Sequence, residues 1–122
     1  MRVFVALLVV LGLVYAAYAY ATSSTPRFGD TGYAYYRTDV TTGVLLFETK
    51  RAYDAAIHAR AAKDDYGFRN AVASGAFSVS AGTRVQVIDV DIKGALKVRV
   101  LEGPHRGKAG YTIRESVHKK RP

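Results

Sequence analysis

The chain has 122 residues, which is enough for one small domain with short appendages. Its 18 lysines and arginines against 10 acidic residues give a formal net charge of +8. This charge favours anionic partners such as phospholipid head groups, teichoic polymers, nucleic acid or acidic proteins. The absence of cysteine excludes disulfides, a lipoprotein anchor, thiol catalysis and cysteine-based zinc sites.

The N-terminal segment begins with Arg2 and continues as an unbroken apolar run over residues 3–21. As a helix this run would measure roughly 28 Å, about one hydrocarbon thickness. It has the small-x-small pattern of a cleavage site at residues 17–19 or 19–21, and its tyrosines would also suit a membrane interface. We therefore expect residues 1–21 to be either a cleaved signal peptide or a retained transmembrane anchor. Both alternatives place the remainder outside the cytoplasm, anchored in the cytoplasmic membrane or secreted.

Residues 22–42 are rich in serine, threonine and glycine and have no long apolar periodicity. This composition predicts a linker with local turns. We expect its three tyrosines, Tyr33, Tyr35 and Tyr36, to lie at the membrane surface or to pack on the domain, in preference to a third role in stacking on carbohydrate.

Residues 43–75 have a helical pattern. An apolar stripe at helical spacing consists of Leu46, Tyr53, Ile57 and Ala61. Two pairs of opposite charge four residues apart are Lys50 with Asp54 and Arg60 with Asp64. Gly67 predicts a break, followed by a second short helix that ends before Gly75.

Residues 76–118 have the period-two alternation of β-strands. Leu96, Val98 and Val100 alternate with charged residues, and glycines stand where strands must turn. A slip in the apolar phase after Val87 predicts a β-bulge, and Lys93–Gly94 predicts a tight turn. Because short strands cannot bury an apolar face alone, we expect a small antiparallel barrel of about five strands, followed by a basic tail at 119–122. The predicted fold class is mainly β.

Four short segments within this region resemble a known family: 81–85 (AGTRV), 97–101 (KVRVL), 103–104 (GP) and 107–111 (GKAGY). Together they resemble the bacterial SH3-like domain. Two upstream segments, 65–68 (DYGF) and 72–75 (VASG), are similar to the helical lead-in of some envelope members of that family, so the similarity covers residues 65–117. The family's usual tryptophan after the last glycine is here Tyr111. The resemblance implies a small SH3-like barrel that acts as a targeting or binding module in exported proteins and contacts cell-wall or protein ligands.

Candidate binding residues lie around a shallow groove expected near Tyr111. They are Arg99, His105, Arg106, Lys108 and Tyr111. Asp89 and Asp91 begin like a calcium loop, but Lys93 and Val100 occupy ligand positions of that motif, so the aspartates are interpreted as the polar face of a strand.

No catalytic, metal or cofactor site is predicted. The histidines are far apart in sequence, and no serine lies in a nucleophile motif.

The leading hypothesis is a non-enzymatic SH3-like module associated with the bacterial envelope that binds an envelope polymer or a protein. The alternative is a structural or accessory subunit of a membrane protein complex, with the N-terminal helix as its interaction element. Nucleic acid is disfavoured as a partner because the segment 1–21 indicates export and because the barrel region has few aromatic residues for base stacking.

Overall fold

The structure, a computed structural model, describes residues 26–122, which form seven strands and two helices. The elements in chain order are β1 (Thr31–Ala34), β2 (Val44–Phe47), α1 (Lys50–Ala61), α2 (Asp65–Ala73), β3 (Ala76–Val79), β4 (Thr83–Val90), β5 (Ala95–Val100), β6 (Ala109–Ile113), a 3₁₀ turn (Arg114–Ser116) and β7 (Val117–His118). The expectation of a mainly β protein is confirmed. The predicted signal peptide or anchor, residues 1–21, lies outside the described residues.

The strands form a single antiparallel sheet in the order β3-β2-β6-β5-β4-β1-β7. Its centre is the meander β4–β5–β6, where the alternation in sequence was strongest. In β5, Leu96, Val98 and Val100 are buried, while Lys97 is half-buried and Arg99 is exposed. The predicted facing of this strand is therefore confirmed.

Two irregularities of the meander are also confirmed. The pairing register of β4 with β5 shifts between Val87 and Asp89, which is the predicted bulge. The turn into β5 is closed by the amide of Gly94, which donates to the carbonyl of Asp91 over 3.0 Å. Gly94 has a φ of 95°, a conformation that residues with a Cβ adopt only with strain.

One face of the sheet buries the main hydrophobic core. Side chains from every strand except β6 contribute to it, including Val79 of one edge strand and Val117 of the other. Four of the five buried helix residues, Ala52, Tyr53, Ala56 and Ala71, belong to a second cluster, which lies on the opposite face against β2, β5 and β6. Because no described helix covers the main core and both edges contribute to it, the sheet curves around its own apolar face.

The predicted linker 22–42 is wrong in its second half, since β1 lies within it. β1 pairs with β4 on one side and with β7 on the other, and Ala34 is completely buried. Tyr35 packs on the domain, with its ring centroid 4.1 Å from that of His118. A four-residue strand that contains one buried glycine and one alanine is too short and too weakly apolar to produce a periodic signal.

The helical prediction for residues 43–75 is wrong at its start, because 44–47 form β2. This strand is covered on both faces, so its run of apolar residues has no strand-like alternation. Helix α1 begins after Thr49, whose hydroxyl accepts from the amide of Ala52. Leu46 therefore cannot belong to a helical stripe.

The predicted stripe also has the wrong phase within α1. The buried residues of α1 are Ala52, Tyr53, Ala56 and Ala59, while Ile57 and Ala61 are exposed. Small alanines allow the helix to lie close to the sheet. The hydrophobic pattern alone does not show whether the alanine face or the face with Ile57 is the buried one.

The connection between the helices differs in part from the prediction. The break falls at residues 62–64, and Gly67 lies inside α2, where its amide donates to the N-cap side chain of Asp64. Asp64 thus caps α2 rather than serving the expected pair with Arg60. The pair of Lys50 and Asp54 is confirmed at 3.1 Å, and α2 ends before Gly75 as predicted.

The predicted barrel region 76–118 contains five strands, β3 to β7, but only β4, β5 and β6 pair with one another. β3 pairs only with β2, and β7 pairs only with β1. The folded unit therefore includes both strands that precede the predicted barrel. The tail 119–122 is also attached to it, since the Tyr35 hydroxyl donates to the carbonyl of Lys120 over 2.9 Å.

Candidate functional site

The loop between β5 and β6 carries three of the five predicted binding residues. The ring of His105 lies 5.0 Å from that of Phe77, and the ammonium of Lys108 lies 5.2 Å from the same ring. Lys108 is also 3.9 Å from Glu48, while Arg106 is exposed. The loop thus folds over Phe77 of the edge strand β3 and presents the ammonium of Lys108 beside its aromatic ring.

Tyr111 lies on the other face of the sheet, beneath α1. Its ring is half-buried and lies 6.5 Å from that of Tyr53, and the ammonium of Lys97 lies 5.5 Å from it. Arg99, on the same face, donates from Nη1 to the carbonyl of Gly107 over 3.1 Å. Tyr111 therefore has a packing role, and the binding roles predicted for these five residues stay predictions.

A basic surface lies where the helices leave this face of the sheet uncovered. We define the basic sheet face by Tyr33, Arg84, Gln86, Arg99 and Arg121. In the pairing register Gln86 lies opposite Arg99, and Tyr33 lies opposite Arg84. Residues directly opposite in antiparallel strands have Cβ atoms about 5 Å apart, so these side chains are neighbours.

The C-terminal tail completes the basic sheet face. The guanidinium of Arg121 lies 5.4 Å from the centre of the Tyr33 ring, and its hydrogen bond to Tyr33 raises the pKa of Arg121 above its ordinary value. One carboxylate lies at this face: Glu102 accepts from the backbone amide of Arg84 over 2.9 Å, and its charge also contributes to the raised pKa of Arg121. The basic sheet face thus presents three guanidinium groups beside one half-buried aromatic ring.

Sequence reasoning identified only Arg99 of this group. A signal for Arg84 and Gln86 was present, since both alternate with buried valines in β4. Tyr33 was missed because β1 was assigned to a linker. Arg121 was noted only as part of a charged tail, and its position beside Tyr33 depends on the pairing of β7 with β1.

A small cleft of about 220 Å³ lies beside this face, between α1 and the β4–β5 turn. Lys50 bridges it, with Nζ 3.1 Å from Asp54 and 2.9 Å from Asp91. These bonds raise the pKa of Lys50, and the lysine together with the amide of Lys93 lowers the pKa of Asp91. The carboxylate of Asp91 therefore joins a helix to a turn. Among residues 26–122, no three His, Asp or Glu side chains lie together as a metal site would require.

The buried polar groups near the C-terminus have structural partners. Ser116 donates from Oγ to the carbonyl of Ile113 over 2.8 Å, and it lies 2.8 Å from the hydroxyl of Thr112. His118 donates from Nε2 to the carbonyl of Tyr35 over 3.0 Å, and burial lowers its pKa. These bonds hold the 3₁₀ turn and β7 against β1 and β6.

Comparison with known proteins adds no relative: no protein-family profile, curated protein or solved structure matches the chain. Within the described residues 26–122, neither helix has the length and hydrophobicity required to cross a membrane.

Proposed function

We propose that this protein is a non-enzymatic binding module of the bacterial envelope, built on an SH3-like barrel, whose basic sheet face binds an anionic envelope polymer. The observation that carries the proposal is the basic sheet face itself. It is a part of the sheet surface that α1 and α2 leave open, and it bears Arg84, Arg99 and Arg121 around Tyr33.

The SH3-like part of the proposal is supported by the connectivity of five strands. β4, β5 and β6 form a meander, a 3₁₀ turn follows, and β7 then pairs with β1, which itself pairs with β4. A small curved sheet around one core is the architecture that the family resemblance implies. In this proposal β2, α1, α2 and β3 are an insertion between the first and second strands of the barrel.

The preference for a polyanion follows from the chemistry of arginine. A guanidinium presents several donors in a planar fork that matches phosphate and carboxylate oxygens. Three exposed guanidinium groups on a sheet, without a deep pocket, suit a repeating charge better than one small molecule. Because exposed charges are screened beyond about 8 Å at physiological salt, binding should be weak and should depend on ionic strength.

The extracytoplasmic location rests on the sequence of residues 1–21. An anionic cell-wall polymer is accessible only to a protein on that side of the membrane. The alternative, an accessory subunit held in a membrane complex by its apolar N-terminal segment, requires no ligand for the sheet face. The two proposals therefore differ in what the arginines do.

The test compares two double variants with the same loss of charge. Arg84→Gln with Arg99→Gln removes two cations from the basic sheet face, and Arg51→Gln with Arg69→Gln removes two exposed cations from the helices. Each protein is passed over purified cell wall that retains its phosphate-rich polymer and over wall from which that polymer has been stripped.

We expect the wild type and the helix variant to be retained at low salt only on wall that retains the polymer. The sheet-face variant should elute several-fold earlier with an unchanged melting temperature. Equal retention of both double variants would refute the role of this face. An absence of retention for the wild type would favour the accessory-subunit alternative.

A further inference from the structure

A cavity of about 920 Å³ lies on the helical side of the sheet, apart from the basic sheet face. Its walls come from the 36–39 segment, β2, both helices, the 3₁₀ turn and the two edge strands, β3 and β7. The curvature of the sheet brings Ser78 of β3 and His118 of β7 to the same cavity. Its volume falls within the range of small-molecule sites, about 300–1,000 Å³.

Much of the cavity wall is apolar. Leu45, Phe68 and Ile113 are each half-buried and belong to the rim of the second hydrophobic cluster, with part of each side chain facing the cavity. Tyr36 and Val117 extend this surface from the other side. A wall of this kind would bind hydrocarbon and release the water that now covers it.

The charged side chains of the cavity carry a small positive excess. Arg37, Arg60 and Arg114 line it. The carboxylate of Asp39 is occupied, because it accepts hydrogen bonds from the amides and hydroxyls of Thr41 and Thr42, which lower its pKa to about 2.

Two further groups complete this charge distribution. Glu115 lines the cavity as an exposed carboxylate. His118 is buried and its pKa is lowered, so at neutral pH three arginines stand against two carboxylates, Asp39 and Glu115, and the excess is one positive charge.

Arg114 has the most specific geometry of the three arginines. Its Nε atom is buried, and among the described residues 26–122 it donates to no acceptor. A buried donor without an acceptor is unfavourable. Because solvent does not reach Nε in this conformation, an anion in the cavity would satisfy it only if the side chain of Arg114 turns toward the ligand.

We propose that this cavity binds an amphipathic anion, a single hydrocarbon chain with a carboxylate or phosphate head that pairs with Arg114. The chain lies against Leu45, Phe68 and Ile113, and Arg37 and Arg60 add positive charge at the exposed side. This site is independent of the basic sheet face and of the polymer proposed to bind there.

The test measures binding to the full-length protein by titration calorimetry. The amphipathic anions are kept below their micelle concentrations, and decanol is kept below its solubility limit. Decanoate is compared with decanol, which has the same chain without charge, and with acetate, which has the charge without the chain. Decyl phosphate distinguishes a phosphate head from a carboxylate head. We expect decanoate or decyl phosphate to bind roughly tenfold more tightly than decanol, a difference of about 1.4 kcal/mol, because only the anions form an ion pair with a guanidinium. Acetate should not bind measurably.

Three variants identify the arginines involved. Arg114→Met keeps the hydrocarbon stem and removes the charge, and it should abolish the preference for decanoate over decanol. Arg60→Glu changes an exposed residue of α1 and should weaken the binding of the anions but not of decanol. It provides a test even if Arg114→Met does not fold. Arg51→Glu, also exposed on α1 but outside the cavity, is the matched control and should leave affinity unchanged.

The proposal is wrong if the wild type binds neither decanoate nor decyl phosphate, or if decanol binds as tightly as both. It is also wrong if Arg51→Glu weakens binding as much as Arg60→Glu does, because the effect would then be one of overall charge. Retention on cell wall should be unaffected by bound decanoate.

Discussion

Replacement of Val98 by aspartate is the sharpest test of the fold. Val98 has no solvent exposure and lies at the centre of the meander, opposite Val87 on one side and Gly110 on the other. Its neighbour Arg99 is exposed on the opposite face of the same strand. The two positions are adjacent in sequence and differ in environment, so the same substitution at each isolates the effect of burial.

The expected cost at Val98 has two parts. Loss of the buried isopropyl group removes about 1.5–3 kcal/mol of hydrophobic stabilisation. Burial raises a carboxyl pKa by up to about 3–5 units, and each unit corresponds to about 1.4 kcal/mol. Whether the buried carboxyl stays charged or takes a proton, it therefore lowers the free energy of unfolding by roughly 4 kcal/mol or more at neutral pH. The sum is about 6 kcal/mol, which is comparable to the total stability of many small domains.

Urea denaturation followed by circular dichroism measures this difference. Val98→Asp should be largely unfolded without urea. Arg99→Asp should have a free energy of unfolding within about 1 kcal/mol of that of the wild type. Val98→Thr, which keeps the shape and adds one hydroxyl without a partner, should lose about 1–3 kcal/mol and so remain measurable. If Val98→Asp melts within a couple of degrees of the wild type, the assignment of this face of β5 to the core is wrong.

Two further predictions concern a close contact and a buried histidine. Gly110→Ala should destabilise the protein by about 1–3 kcal/mol in the same urea assay, because its Cβ would lie 2.9 Å from the Cβ of Leu46 and 3.3 Å from Phe77; unchanged stability would show that β2 and β6 are not so close. Burial lowers the pKa of His118, so the unfolded chain takes up the proton first, and stability should be full above about pH 6.5 and decrease as the pH falls below it. His118→Gln should lose less stability than the wild type between pH 7.5 and 5.5, and an equal loss in both proteins would contradict this assignment.

The meander could be predicted because its information is local. In β4 and β5, valines and leucine alternate with polar residues, and this period of two is a direct consequence of strand geometry. The bulge and the turn at Gly94 left equally local marks, a slip in phase and a glycine. The candidate site was predicted only at Arg99, since its alternation with buried neighbours was visible in the chain.

The sequence by itself determined that the protein is basic, mainly β in its C-terminal half, and preceded by an apolar segment at residues 3–21. Only the tertiary structure decided that residues 31–34 and 44–47 are strands, because each is four residues long and gains its stability from partners distant in sequence. The same long-range pairing placed Arg121 beside Tyr33 and curved the sheet so that both of its edges line one cavity. Cross-strand contacts of this kind depend on strand register and on burial from both sides. Both involve residues that are far apart in sequence, so the local sequence pattern does not reveal them.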